Sequence, residues 1–171
     1  MICSDKTGTL TLNQMTVRRI YADGGFIEVT GEGYEPKGEF RRDGEKINPA
    51  EDDQLMLLLR AGALCNDASL TKNIEKYGIF GDPTEGALVV AAAKADLNKS
   101  DLEKAYLRQD ELPFASEKQY MVTLHYMATL HSEAGHKTAL IKGSVEKILS
   151  YSRHILKNGR VVDITESPIM R

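Results

Sequence analysis

The chain has 171 residues, 42% of them hydrophobic and 27% charged, which is one domain's length and enough for a single core. A formal net charge of -3 argues against a polybasic nucleic-acid binder, so no nucleic acid is expected as a partner. No stretch approaches the roughly 20 apolar residues of a membrane helix, and the apolar run 87–93 is short and rich in alanine.

In chain order, residues 1–12 predict a short strand running into a Thr/Gly turn. The start, Met1-Ile2-Cys3-Ser4-Asp5, lacks the basic region and apolar stretch of a secretory signal. Strands are expected over 16–22, 26–30 and 39–42. Turns at Asp23-Gly24-Gly25, 31–33 and Asp43-Gly44 separate them. Pro49 and the acidic Glu51-Asp52-Asp53 then open a helix with an apolar stripe at Leu55, Leu58, Leu59 and Gly62. A second helix has Asp82 as N-cap, Pro83 as its first residue and Glu85 as its third, the arrangement of a capping box. Leu88, Ala91, Ala92 and Ala95 form its packing face. Ser100 and Glu103 repeat that capping logic for a shorter helix. Strand patterns follow over 121–130 and 138–142, Ser144 caps a helix reaching Tyr151, and Asn158-Gly159 marks a hairpin. Neighbouring strands with short turns and a block of helices between them predict an α+β fold, a mostly antiparallel sheet with helices packed on it.

Two cysteines, Cys3 and Cys65, are too few for a disulfide framework. His125, His131, His136 and His154 show no metal-ligand spacing. A reduced, cytosolic domain is the expectation.

The most specific string is Asp5-Lys6-Thr7-Gly8-Thr9-Leu10-Thr11. An aspartate carboxylate can attack phosphorus and form an acyl phosphate. A strand end running into a Gly/Thr turn exposes that carboxylate and leaves backbone N–H groups and hydroxyls for phosphate oxygens. Attack of an anion on an anion needs neutralisation, so Mg2+ and a nearby lysine are expected. The competing reading is an ordinary solvated turn. Elsewhere, Phe114 offers a flat apolar face that a planar ligand or, more simply, the core can use. Lys142 ends a strand and precedes Gly143, which lets backbone approach a ligand. Alone, such a lysine is usually just solvated.

The run Ile2 to Thr11, with Asn13 and Met15-Thr16-Val17, resembles the phosphorylation motif of P-type ATPases. Four later segments resemble that family's motifs in the same order: Cys65-Asn66-Asp67-Ala68; Gly81-Asp82-Pro83-Thr84-Glu85-Gly86-Ala87-Leu88; Leu112-Pro113-Phe114 with Ser116, Glu117 and Met121; and Lys142-Gly143-Ser144. The resemblance implies a division at residue 15. Residues 1–15 would be a stub of the phosphorylation domain and 16–171 a nucleotide-binding domain, ending before it is complete. It implies catalytic roles for Asp5, Lys6 and Thr7, with Asp5 and Thr7 also meeting Mg2+. It implies nucleotide contacts at Asp82, Thr84, Glu85, Phe114, Lys118, Gln119, Met121, Lys142 and Gly143. Glu85 would accept from the adenine amino group, and Asp82 would serve first as a helix cap. The ligands would be ATP and ADP. The partners would be the remaining phosphorylation, actuator and membrane domains of one pump, with this piece on the cytoplasmic side of an integral membrane protein.

The chain departs from the family pattern in two places. Lys118 and Gln119 stand where an Arg-Lys pair is usual, and on a strand those neighbours would point to opposite faces. Val145 stands where proline is usual, which should relax a helix start and leave Lys142 in place. The motif style resembles calcium, sodium/potassium and secretory-pathway pumps, and calcium is the expected ion. Magnesium, sodium/potassium or proton pumps of the family are alternatives. A phosphatase of the haloacid-dehalogenase type is the rival enzyme. Its usual second aspartate would fall at position 7, where this chain has Thr7. A pure nucleotide-binding module is the remaining reading.

Overall fold

The computed structural model describes residues 14–74, 76–127 and 136–164. Asp5, Lys6, Thr7 and the expected strand and turn over 1–12 lie outside them, as does the end of the strand expected over 121–130.

Three hairpins carry an Asx-Gly pair at the turn. β1 (Arg19–Ala22) and β2 (Gly25–Val29) join at Asp23-Gly24; β3 (Phe40–Arg42) and β4 (Glu45–Ile47) join at Asp43-Gly44; the third turn is Asn158-Gly159. Both residues of each turn have positive φ, the conformation that matches strand twist in a two-residue loop. The first four strands form one antiparallel sheet in chain order. Ile20 pairs with Ile27 and Val29 with Phe40, which puts their side chains on one face.

That face packs on helices. α1 (Asp53–Leu64) follows a helical turn at Pro49–Glu51, and its N-cap Asp52 accepts from the Leu55 N–H at 2.9 Å. The expected stripe is displaced: Leu55, Leu59, Ala63 and Leu64 are buried, whereas Leu58 is exposed. The stripe follows i, i+4 spacing, and residue 58 lies at its border. α2 (Pro83–Ala93) buries Gly86, Ala87 and Val89–Ala92. Burial around most of its circumference makes it the central helix, so the one-sided face expected for it is too narrow. α3 (Lys99–Ala105) is capped by Asn98, whose Oδ1 accepts from the Ser100 N–H at 2.9 Å. The cap is therefore two residues earlier than Ser100, because the amide side chain can close an Asx turn there. One core joins Ile20, Ile27, Val29 and Phe40 to Leu55, Leu59, Ala92 and Leu102.

β5 (Ser69–Lys72) and β6 (Tyr77–Phe80) pair between α1 and α2. After α3 come β7 (Tyr106–Ala115), β8 (Tyr120–Met127) and β9 (His136–Gly143), an antiparallel sheet in that order. β7 was not expected from sequence, because it is polar and contains Pro113. As an edge strand with a bulge it tolerates a residue that cannot donate. α4 (Val145–Tyr151) and the β10 (His154–Lys157)–β11 (Arg160–Asp163) hairpin complete the described chain. The α+β architecture is as expected; among the described residues every strand pair is antiparallel, and the strands divide among four sheets.

Ser144 caps α4 with φ -62 and ψ 148, and Val145 is the first helical residue. A proline fits there: its missing N–H has no intrahelical partner, and Ser144 already has the extended backbone that precedes proline. Val145→Pro should therefore raise stability by about 0.4–1 kcal/mol through the unfolded chain. A urea midpoint that moves downward would show that the start of α4 is not as described.

Candidate functional site

Glu85 stands in the first turn of α2. Asp82, before that turn, accepts from the N–H groups of Thr84 (2.8 Å) and Glu85 (3.2 Å). Those bonds, the Glu85 N–H foremost, hold the Asp82 carboxyl below the usual aspartate range, with Lys142 a smaller contributor. The reciprocal half of the expected capping box is missing. The Glu85 carboxylate instead accepts from Lys142 Nζ at 2.5 Å and from the Asp67 N–H at 3.0 Å. One carboxylate oxygen is taken by the ammonium and the other by an N–H from outside the helix, which turns the carboxylate away from the Asp82 N–H. Glu85 and Lys142 retain 18% and 25% of their side-chain exposure, so both charges are partly withdrawn from water yet reachable.

Lys142 arrives from β9, where it pairs with Met121 of β8. Across β8 the register with β7 breaks: Leu112 pairs with Val122 and Ala115 with Tyr120, so Pro113 and Phe114 together oppose Met121. This bulge carries Phe114, which is 60% exposed. Phe114 is thus a surface aromatic, and the reading of it as a core residue falls. Met121 is the reverse. It is fully buried, so its side chain supports the row from beneath and offers nothing to an external ligand.

Lys118 and Gln119 are exposed in the turn between β7 and β8; both N–H groups donate to Ala115 O, and Gln119 has φ 62. Strand alternation therefore does not apply to them, which corrects the argument that they face opposite ways. Gly143 has a packing reason of its own. A Cβ there would lie 2.6 Å from Gln119 O and from Tyr120 Cβ, so what comes close to it is this turn. Thr84 is exposed beside Asp82. The structure thus gathers Asp82, Thr84, Glu85 and Lys142 at the head of α2, and strand register sets Phe114 and Gly143 on the adjoining strands. A cleft of about 470 Å³ opens beside Lys142 and Gly143, lined also by Ile20, Leu58, Leu88 and Ile141. Neither Glu85 nor Phe114 is on its wall.

Sequence reasoning named no role for Asn66, Asp67, Lys99 or Arg108. Asn66 is fully buried, donating to Gly62 O (3.0 Å) and Glu85 O (2.9 Å) and accepting from the Ala68 N–H (2.8 Å). The motif around it was the available signal. Lys99 and Arg108 carry no local pattern, because their main-chain partners are 31 to 44 residues away.

Asp82→Ala should cost about 1 kcal/mol as a lost N-cap. Because folding lowers the Asp82 pKa, the cap's contribution is full above the ordinary aspartate value of about 3.9 and is lost as pH falls from there through the lowered native value. Denaturation of both proteins from pH 7 to pH 2.5 checks this. A stability gap that stays constant to the lowest pH would remove the ionised cap from the account.

The family model for the cytoplasmic domain N of P-type ATPases matches residues 54–170. The chain is 42% identical, over 99% of its length, to the cation-transporting ATPase pma1 of Synechocystis. It is 36% identical over 93% to the calcium-transporting ATPase of Bacillus subtilis and 36% over 97% to the human calcium-transporting ATPase type 2C member 1. It spans 19%, 17% and 17% of those proteins, under a fifth of each.

Proposed function

The chain belongs to the P-type cation-transporting ATPases, as their cytoplasmic domain N, and from that premise we propose that it binds the adenine nucleotide of an ATP-driven membrane pump. The observation that carries this reading is Phe114. It is a 60% exposed aromatic on a strand bulge, separated by one strand from a lysine that pairs with a carboxylate. An exposed ring gives a base a stacking surface, Lys142 offers a cation and Glu85 an acceptor for an exocyclic amino group. Asp82 and Thr84 sit at the positive end of α2, where anionic groups are favoured. Lys118 is the cation on the adjoining turn.

Few contacts in an open site give weak binding, with a dissociation constant of about 1 mM, or about -4 kcal/mol. Phe114→Ala should weaken ADP binding by about 1–3 kcal/mol while the fold survives. Titration of ADP into the 171-residue chain, followed by backbone amide shifts, reads both. Unmoved amides around Phe114 and Lys142 at saturating nucleotide would sink the proposal. A fall in melting temperature with unchanged affinity would return Phe114 to a structural role.

Residues 1–15 belong, in this proposal, to the phosphorylation domain of the same pump. One Asp5 carboxylate oxygen bonds to the γ-phosphorus of ATP as the bond to the ADP oxygen breaks, leaving an acyl phosphate. Lys6 and Thr7 attend the transferred group. Asp5 and Thr7 would hold Mg2+, which would supply charge neutralisation there. Two of the relatives are named as calcium-transporting, and calcium is the ion proposed for the parent pump. In the full-length protein, Asp5→Asn should abolish labelling from γ-labelled ATP and leave ATP binding intact or tighter, since a negative charge is removed near the phosphate. Equal labelling of both proteins would take Asp5 out of the reaction.

A further inference from the structure

Arg108 makes no bond to Glu85, Phe114 or Lys142 among the described residues, yet most of what it holds belongs to the segment that orients Glu85. Its Nη1 donates to Asp67 Oδ1 at 2.7 Å and to Glu111 Oε2 at 2.6 Å. Its Nη2 donates to Leu64 O at 3.1 Å and Asn66 O at 2.9 Å. The segment so gripped presents the Asp67 N–H to Glu85 Oε2 at 3.0 Å and the Asn66 amide to Glu85 O at 2.9 Å. We propose that Arg108 is a positioning residue of the nucleotide site, acting through residues 64–68 to aim the Glu85 carboxylate. The inference rests on the reading of Glu85 as a nucleotide contact.

The chemistry selects arginine. Four acceptors lie around one guanidinium, two of them main-chain carbonyls at the end of α1 and two of them carboxylates. A rigid fork of five N–H groups meets such a set, whereas an ammonium meets it only in part. Lys99 reaches Asn66 O (2.6 Å) and Ala68 O (2.7 Å), so the segment keeps one anchor when Arg108 is removed. No hydrogen bond runs from Lys99 to the Asp67 side chain among the described residues. Loss of Arg108 therefore releases the Asp67 side chain and leaves the peptide that carries the Asp67 N–H on Lys99 alone, which loosens the N–H that holds Glu85 Oε2. Lys142 is then left to fix that carboxylate, which swings toward it.

The test is a double-mutant cycle on the 171-residue chain: wild type, Arg108→Ala, Glu85→Gln and the double variant, each titrated with ADP, with far-UV circular dichroism as the check on folding. Arg108→Ala should weaken ADP binding about tenfold in the wild-type background and less than about twofold in the Glu85→Gln background. A purely structural arginine would cost the same in both backgrounds, and that result overturns the proposal, as does wild-type affinity in Arg108→Ala. If Arg108→Ala does not fold, Arg108→Lys takes its place. An intermediate loss that disappears with Glu85→Gln supports the role, and unchanged affinity overturns it. If neither Glu85→Gln nor Phe114→Ala alters ADP affinity, the nucleotide reading itself fails, and this inference with it.

Discussion

Everything near the head of α2 depends on one buried amide. Asn66 has no solvent exposure, and its side chain satisfies three main-chain groups: Gly62 O at the end of α1, Glu85 O in the first turn of α2, and the Ala68 N–H in the segment between. Without it the Ala68 N–H would be a buried donor without a partner, at a cost of about 1–3 kcal/mol. The amide fixes where α2 begins relative to where α1 ends. Glu85 is therefore presented on a rigid element, with the Asp67 N–H beside it. Cys65 adds a link to the β7–β8–β9 sheet, its thiol lying 3.5 Å from Leu140 O and 3.7 Å from Met121 O.

Around this knot the molecule uses cations to hold carbonyl oxygens. Lys94 reaches Thr30 O at 2.6 Å, Lys99 reaches Asn66 O and Ala68 O, and Arg108 reaches Leu64 O and Asn66 O. Burial pushes the Lys94 and Lys99 ammonium groups below the ordinary lysine value. Charge-assisted bonds to carbonyls keep irregular backbone in place where no strand partner is available. The segment 65–68 that braces the proposed nucleotide site is thus loop by secondary structure and constrained by its bonding.

The site itself is a meeting of two supports. One is a helix start, which brings Asp82, Thr84 and Glu85 together because they are close in sequence. The other is a row across three strands, in which Phe114, Met121 and Lys142 are neighbours by register alone. The Glu85–Lys142 ion pair is the bond between the two supports. An exposed ring one strand away from a paired lysine suits a ligand with a flat apolar part and an anionic part, which is what the proposed nucleotide role requires.

Much of this was legible in the sequence. The α+β class, the Asx-Gly hairpins and the Asp82 cap with Pro83 behind it all follow from short-range rules, in which a residue's neighbours decide its conformation. The domain N assignment was carried by motifs that are strings, and the family comparison bears it out. What the sequence could not decide rests on partners far along the chain. Whether Phe114 is core or surface depends on a bulge that appears only when β7 meets β8. Whether Glu85 closes a capping box depends on Lys142, 57 residues away. Arg108 has no local signature at all, since each carbonyl it holds becomes its neighbour only after α1 and β7 have packed. Local sequence sets backbone preference over a few residues; the choice of hydrogen-bond partner for a charged side chain is made by whichever acceptor the fold brings within about 3 Å, and only the tertiary structure determines that.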